Sequence, residues 1–250
     1  MLIGFSFFIR QNSGKAFGCY VDMSTKIRID IVSDVVCPWC YVGKRNLEKA
    51  LSGLPEVETD VHWHPFQLDP TVPEEGVDRQ KHYAEKFGSI ERFSMLEDRV
   101  VQAGANAGIS FDFENQARIP NTLKLHALIR EAEKDGFSAE LKQAFLSAYF
   151  EQAIDLTSTK EIVKILEKFG WSAEKTQGII ADNAIENEVI QEIRHYQNLG
   201  VSGVPFFIIN NKYALSGAQP PEVFTEALTK IGEEMAEKQG DTCEVGDPNC

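Results

Sequence analysis

The chain has 250 residues, with 25 Lys and Arg against 38 Asp and Glu and a formal net charge of −13. That balance excludes a nucleic-acid surface, which needs a basic patch, and no apolar run approaches the ~20 residues that span a bilayer. Five cysteines at this length are too few for a disulfide framework, and the length allows one domain or two.

Residues 1–9 are apolar and are followed by Arg10 and Lys15. A secretory signal has the reverse order, charge first and then the apolar stretch, with a small-residue cleavage site. The expectation is that residues 1–26 lie outside the fold as an N-terminal extension, with Met23 the natural start and the cytoplasm the compartment. Residues 27–32 alternate, Ile27, Ile29 and Ile31 against Arg28 and Asp30, and read as a strand. Residues 42–54 carry Val42, Leu47, Ala50, Leu51 and Leu54 at helical spacing. Between them lies Cys37-Pro38-Trp39-Cys40. A sulfur at a helix start faces unpaired N–H groups and the positive end of the macrodipole, which favours thiolate over thiol. Cys37 is therefore the expected nucleophile. Cys40, one turn on, is placed to attack any mixed disulfide that Cys37 forms. The alternative for a C-x-x-C is half a zinc site, which needs a second ligand pair. No such pair is near in sequence, so no metal is expected.

Residues 58–66 read as a second strand, joined to the first by the helix and therefore parallel to it. His62 and His64 share one of its faces, no carboxylate or further His is expected nearby, and a packing or polar role is expected rather than a metal. Residues 67–73 form a proline-punctuated loop. From residue 78 to 199 nearly everything has helical spacing: 82–87, 90–101, a short extended piece at 109–113, then helices after Asn121, Ser138, Ser158, Ser172 and Asn183. Ser158-Thr159-Lys160-Glu161 reads as a capping box. The apolar stripes are core faces and the charged faces are solvated. Residues 205–210 and 213–216 are strands around an Asn-rich hairpin turn, and 220–232 is a helix, after which periodicity is lost. The order βαβ, about 120 helical residues, ββα places a helical block inside one small α/β domain, without a second sheet. The divisions are 27–77 and 201–236 for the two halves, 78–200 for the insertion and 237–250 for the tail.

Strand–Cys-Pro-Trp-Cys–helix, the helical insertion and Gly203-Val204-Pro205-Phe206-Phe207 resemble the DsbA-like branch of the thioredoxin fold. Ser33 to Gly43, Pro65-Phe66-Gln67-Leu68, Asn121-Thr122 with His126, and Ser216-Gly217-Ala218-Gln219 resemble its FrnE subfamily. The resemblance covers most of the chain. It implies an α/β thioredoxin fold with a large all-helical insertion, a cis peptide at Pro205 facing the sulfurs, and substrate contacts from Pro38, Trp39, Val204 and Pro205. Kappa-class glutathione transferases and 2-hydroxychromene-2-carboxylate isomerases are related, but typically carry Ser where this chain has Cys37.

Three functions follow. The first is a protein thiol–disulfide oxidoreductase acting on protein or peptide thiols and disulfides. It needs no metal or organic cofactor, and glutathione is a candidate co-substrate. The second is a glutathione-dependent transferase or isomerase using Cys37 alone. The third is a non-catalytic binding module. No nucleic-acid or membrane partner is expected. Cys243 and Cys250 bracket a turn-forming stretch with Gly246 and Asp247-Pro248, and are a candidate secondary redox pair.

Overall fold

The computed structural model describes residues 26–240. The predicted extension as far as residue 25, with Met23, and the tail pair Cys243 and Cys250 lie outside them. Strand β1 (Ile27–Ser33) runs directly into helix α1 (Pro38–Ser52), which returns to β2 (Thr59–Pro65). β1 and β2 are parallel, with Ile31 opposite Trp63. The second half supplies β5 (Phe206–Ile209) and β6 (Tyr213–Ser216), and the four strands lie in the order β2-β1-β5-β6, with β5 antiparallel to both β1 and β6. Asn210 and Asn211 take left-handed φ values of 50° and 53° at the hairpin turn, as its sequence predicted. Helix α9 (Pro221–Gly240) packs beside α1. Ile27, Ile29 and Ile31 alternate onto that side, where they meet Leu47, Phe207, Phe224 and Leu228 in one core.

Between the halves come β3 (Val77–Asp78), α2 (Arg79–Phe87), α3 (Ile90–Asn106), β4 (Arg118–Ile119), α4 (Leu123–Lys134), α5 (Ser138–Phe150), α6 (Thr159–Glu167), α7 (Ala173–Ile180) and α8 (Asn183–Asn198). Their apolar stripes form a second core around Leu128, Phe145, Leu146 and Leu166. Val35, Val36, Tyr41 and Val42 belong to this second core, not to the first. The turn and first helical turn that carry the cysteines are thus clamped between the two halves of the molecule. A third, smaller cluster of Val32, Phe66, Tyr196 and Val201 seats α8 on the other side of the sheet.

Several sequence expectations are corrected. There is a second sheet, the two-residue pair β3–β4, too short to show alternation in sequence. Residues 109–113, the short piece expected between helices, pair into neither sheet, and there Phe111 and Phe113 stack on each other at 4.9 Å. Ser158 precedes α6 but makes no side-chain cap bond, so the capping box is not formed. α9 runs on past residue 232, because Glu234 pairs with Lys212 and Tyr213 and Met235 packs on the first core. The charged faces are not all solvated: Lys44, Arg79 and Lys142 are buried. Among the described residues, no helix is long and apolar enough to cross a membrane.

Candidate active site at Cys37 and Cys40

Cys37 is the N-cap of α1, in extended conformation, and Pro38 opens the helix. Proline suits that position because its missing N–H is one the first turn leaves unpaired anyway. The Cys40 N–H donates to Cys37 Sγ across 3.3 Å. That N–H is shared with the Cys37 carbonyl, 3.0 Å away, so the first turn of the helix directs a donor at this sulfur as well as at its own backbone. Both cysteines are free. The Cys37 thiol donates to the Val204 carbonyl at 3.6 Å, and the Val204–Pro205 peptide is cis. Val204 and Pro205 thus stand beside the sulfurs from 167 residues away in sequence. Pro38 and Trp39 follow Cys37 in the first turn of α1 and line a cavity, with Trp39 38% exposed.

Cys40 lies behind Cys37 and is buried. Burial pushes its thiol well above the ordinary value, and the hydrogen bond with Cys37 adds to this, while the Lys142 charge opposes it. Lys142 itself is fully buried on α5, with its ammonium 5.7 Å from the Trp63 ring. Burial lowers its pKa against the pull of Cys40, Asp34 and Cys37. Asp34, three residues before Cys37, is buried as well. Its Oδ1 accepts from the Val35 N–H at 2.7 Å and its Oδ2 from the Leu68 N–H at 2.8 Å. His126 Nε2 reaches Asp34 Oδ1 at 3.2 Å and the Phe66 carbonyl at 2.9 Å; facing two acceptors, this nitrogen carries the proton. Burial alone would raise the Asp34 carboxyl, but the His126 and Leu68 hydrogen bonds and the nearby Lys142 charge outweigh it and hold the group below the usual range. For His126 burial wins over the Asp34 hydrogen bond, and the imidazole is held below its ordinary value.

The sequence reading quoted Asp34, His126 and Gly43 as matching residues without a role, and counted Lys142 as surface. A signal for Lys142 was present: it stands at i, i+3, i+4 and i+7 with Phe145, Leu146 and Tyr149, in the apolar stripe of its helix. Gly43 permits close approach. A Cβ there would lie 3.0 Å from Pro205 Cγ, 3.2 Å from Phe207 Cζ and 3.4 Å from Ala218 Cα. His62 and His64 do have carboxylates nearby, contrary to expectation. His62 meets Asp60, two residues away, and Glu133; His64 is held by Asp30 at 2.8 Å and by Glu192 at 2.7 Å. The polar role is the one they play, tying β2 to β1, α4 and α8.

A family model for the DSBA-like thioredoxin domain matches residues 28–229. The crystal structure of a probable DsbA oxidoreductase from Streptomyces coelicolor is 34% identical, covers 83% of this chain and 91% of its own, and superposes with a TM-score of 0.76. The uncharacterized protein YwbO of Bacillus subtilis is 23% identical over 204 residues, 81% of this chain and 96% of that one. The cytosolic disulfide reductase DsbM from Pseudomonas aeruginosa, solved with GSH, shares the fold at 14% identity and a TM-score of 0.60, over 82% of this chain and 99% of that one. With its dithiol at a strand-to-helix junction, its helical block spliced into a four-stranded sheet and a family match across most of its length, the chain belongs to the DsbA-like thioredoxin family.

Proposed function

We propose that the protein is a thiol–disulfide oxidoreductase that exchanges disulfides with protein or peptide substrates through Cys37 and Cys40. The observation that carries the reading is the asymmetry of the pair. Both are buried, but Cys37 Sγ sits at the N-cap of the helix and accepts a backbone hydrogen bond, while burial and the hydrogen bond with Cys37 push the Cys40 thiol well above its ordinary value. Cys37, as thiolate, attacks one sulfur of a substrate disulfide; a Cys37–substrate disulfide forms and the other substrate sulfur leaves as thiolate. Cys40 then loses its proton and attacks Cys37 Sγ. The Cys37–Cys40 disulfide forms and the second substrate thiolate is released, so the substrate is reduced by two electrons and the dithiol oxidised. Run backwards, the same steps oxidise a substrate dithiol. Two glutathione molecules reduce the Cys37–Cys40 disulfide and leave as glutathione disulfide, so the cycle calls for no metal or organic cofactor. The cytoplasm, where thiols are kept reduced, is the compartment this cycle suits.

The test is Cys40→Ser. With glutathione disulfide the variant should accumulate one glutathione adduct on Cys37, seen by intact mass, and lose steady-state turnover. The wild type should pass to the internal disulfide. A Cys40→Ser protein with full turnover would point to chemistry by Cys37 alone and end the proposal.

A further inference from the structure

His64 stands near the end of β2, with its side chain 14% exposed. Each of its ring nitrogens meets a carboxylate. Nε2 lies 2.8 Å from Asp30 Oδ1 on the neighbouring strand β1, and Nδ1 lies 2.7 Å from Glu192 Oε1 on α8. A neutral imidazole has one N–H and one bare nitrogen, so it donates to only one of the two. The carboxyls do not bring the missing proton. Burial would raise Asp30, but the hydrogen bonds from Arg28 and His64 hold it below the usual carboxylate range. Burial would raise Glu192 too, and the His64 hydrogen bond with the His64 and Arg130 charges holds it low. Arg28 reaches Asp30 at 2.6 Å and Arg130 reaches Glu192 at 2.6 Å. The doubly protonated ring alone satisfies both contacts.

The other groups around the ring leave it no substitute partner. The Tyr196 ring of α8 packs on it at 4.6 Å. His126 and Glu133 of α4 and Lys142 of α5 line, with His64, a cavity of about 10 Å³. That is room for one water at most. His126 directs its proton to Asp34 and the Phe66 carbonyl, and Glu133 is drawn to His62, two residues earlier on β2, at 3.2 Å. Lys142, Arg28 and Arg130 are cations and offer the ring no acceptor. A His64 that gives up its second proton therefore leaves one carboxylate against a bare nitrogen in a setting closed to bulk water, and that contact turns from attractive to repulsive.

The contact lies on a continuous path to the nucleophile. The turn of α8 that carries Tyr196 also ends the helix, because the Tyr196 carbonyl accepts from the Val201 N–H at 3.1 Å. Val201 is buried with Val32, Phe66 and Tyr196, and Val204 packs on the same cluster. The Val204 carbonyl takes the Cys37 thiol at 3.6 Å. We infer that His64 is a positioning residue for the exchange: as imidazolium it clamps α8 to the sheet and so holds the Val204 segment against Cys37, and without its second proton it lets that segment move away. This rests on the exchange reading above. The clamp is complete at low pH and is lost as pH rises, whereas the Cys37 thiolate is gained as pH rises. The two effects oppose each other, and the alignment of a bound disulfide is separable from the nucleophilicity of the sulfur.

The experiment divides one rate by another on the full chain carrying Cys40→Ser. Attack on glutathione disulfide stops at the adduct and reads thiolate and alignment together; alkylation by iodoacetamide reads the thiolate alone. Between about pH 5 and pH 9, where imidazoles titrate, the ratio of exchange to alkylation should fall. The fall should be about tenfold, the cost of a small misplacement. Glu192→Gln should keep the ratio level, because its amide N–H donates to the bare nitrogen of a neutral ring while its oxygen still accepts from Arg130. The glutathione amines titrate alike in both proteins and cancel in the comparison. His64→Leu should give the low ratio at every pH. Nitrogen NMR of the histidine rings should show His64 losing its second proton over the same interval as the fall. A level ratio with His64 intact, a Glu192→Gln ratio that falls in step with it, or a His64 titration displaced from the fall would overturn the inference. Failure of the adduct to form would remove the exchange reading instead, and the NMR titration of His64 is read independently of it.

Discussion

Gly43 is the position where the close approach of α1 to the Pro205 loop can be tested by one methyl group. In the interior of a helix, Gly→Ala ordinarily stabilises by about 1 kcal/mol. Here the new Cβ would lie 3.0 Å from Pro205 Cγ, 3.2 Å from Phe207 Cζ and 3.4 Å from Ala218 Cα. None of the three yields readily. Phe207 is fully buried, and Ala218 offers backbone. The loop holding Ala218 is tied to α1 by Asn46 Nδ2 donating to the Gln219 carbonyl at 2.8 Å, and to the Pro205 carbonyl by the Gly217 N–H at 2.8 Å. Overpacking a site of this kind costs about 1–3 kcal/mol, so with the helix gain of about 1 kcal/mol the net effect of Gly43→Ala is a loss of up to about 2 kcal/mol. The displacement moves α1 away from the Pro205 loop, and so Cys37 away from the Val204 carbonyl. Misplacements below an ångström cost an aligned reaction about tenfold, which is the expected fall in the exchange rate with glutathione disulfide. Urea unfolding of the reduced protein gives the first quantity, and stopped-flow exchange the second. A variant that is about 1 kcal/mol more stable and exchanges at the wild-type rate would show that the loop is soft and that Gly43 has no spacing role.

Asp34→Asn should cost about 3 kcal/mol, because one of the donors Val35 N–H, Leu68 N–H and His126 then faces an amide N–H₂ in a buried site. Wild-type stability should fall with acid in two stages: below about pH 6.5 the unfolded chain protonates His126 while the folded chain does not, and below about 3.8 the unfolded chain protonates Asp34 first. Asp34→Asn should shrink the lower stage, to which Asp30 and Glu192 also contribute, and a urea midpoint constant from pH 7 to pH 3 in the wild type would refute the assignment. Tyr41→Phe should destabilise by about 1–2 kcal/mol, since the Tyr41 hydroxyl donates to Glu151 at 3.0 Å and accepts from Gln143 at 2.8 Å in a part-buried setting; an unchanged midpoint would mean water replaces the hydroxyl.

The strand, the helix and the dithiol between them were legible because each rests on a local signal. Ile27, Ile29 and Ile31 alternate, Pro38 opens the helix, and the cysteine spacing equals one turn. The hairpin was legible for the same reason, in Asn210 and Asn211. What was not legible depends on residues that only the fold brings together. Asp30 looks like the outward polar partner of its neighbours, yet it is buried against Arg28 and His64. Arg79 looks like helix surface, yet it lies under three aromatic rings from α2, α3 and the segment after α3. The β3–β4 pair has two residues in each strand, below any period a sequence can display. Charged residues are misread most easily, because their burial depends on partners distant in the chain.

The two halves of the molecule contribute differently to the sulfur chemistry. The thioredoxin half fixes geometry: the N-cap seat of Cys37, the N–H of Cys40, and the Val204 carbonyl on the far side. The insertion fixes environment. His126 from α4 bonds Asp34, Lys142 from α5 adds its charge beside Asp34 and Cys40, and residues of α2 and α3 wall a cavity along Pro38 and Trp39. In the proposed exchange, a Cys40 thiol pushed up by burial stays protonated while Cys37 makes the first attack, which favours the mixed disulfide over premature closure. Closure then requires a negative charge to develop on Cys40 inside a buried site, and Lys142 is the cation placed to oppose that cost. Through Lys142 the insertion thus works against the burial and the Cys37 hydrogen bond that push the Cys40 thiol up, and in the proposed exchange it eases the second step rather than the first.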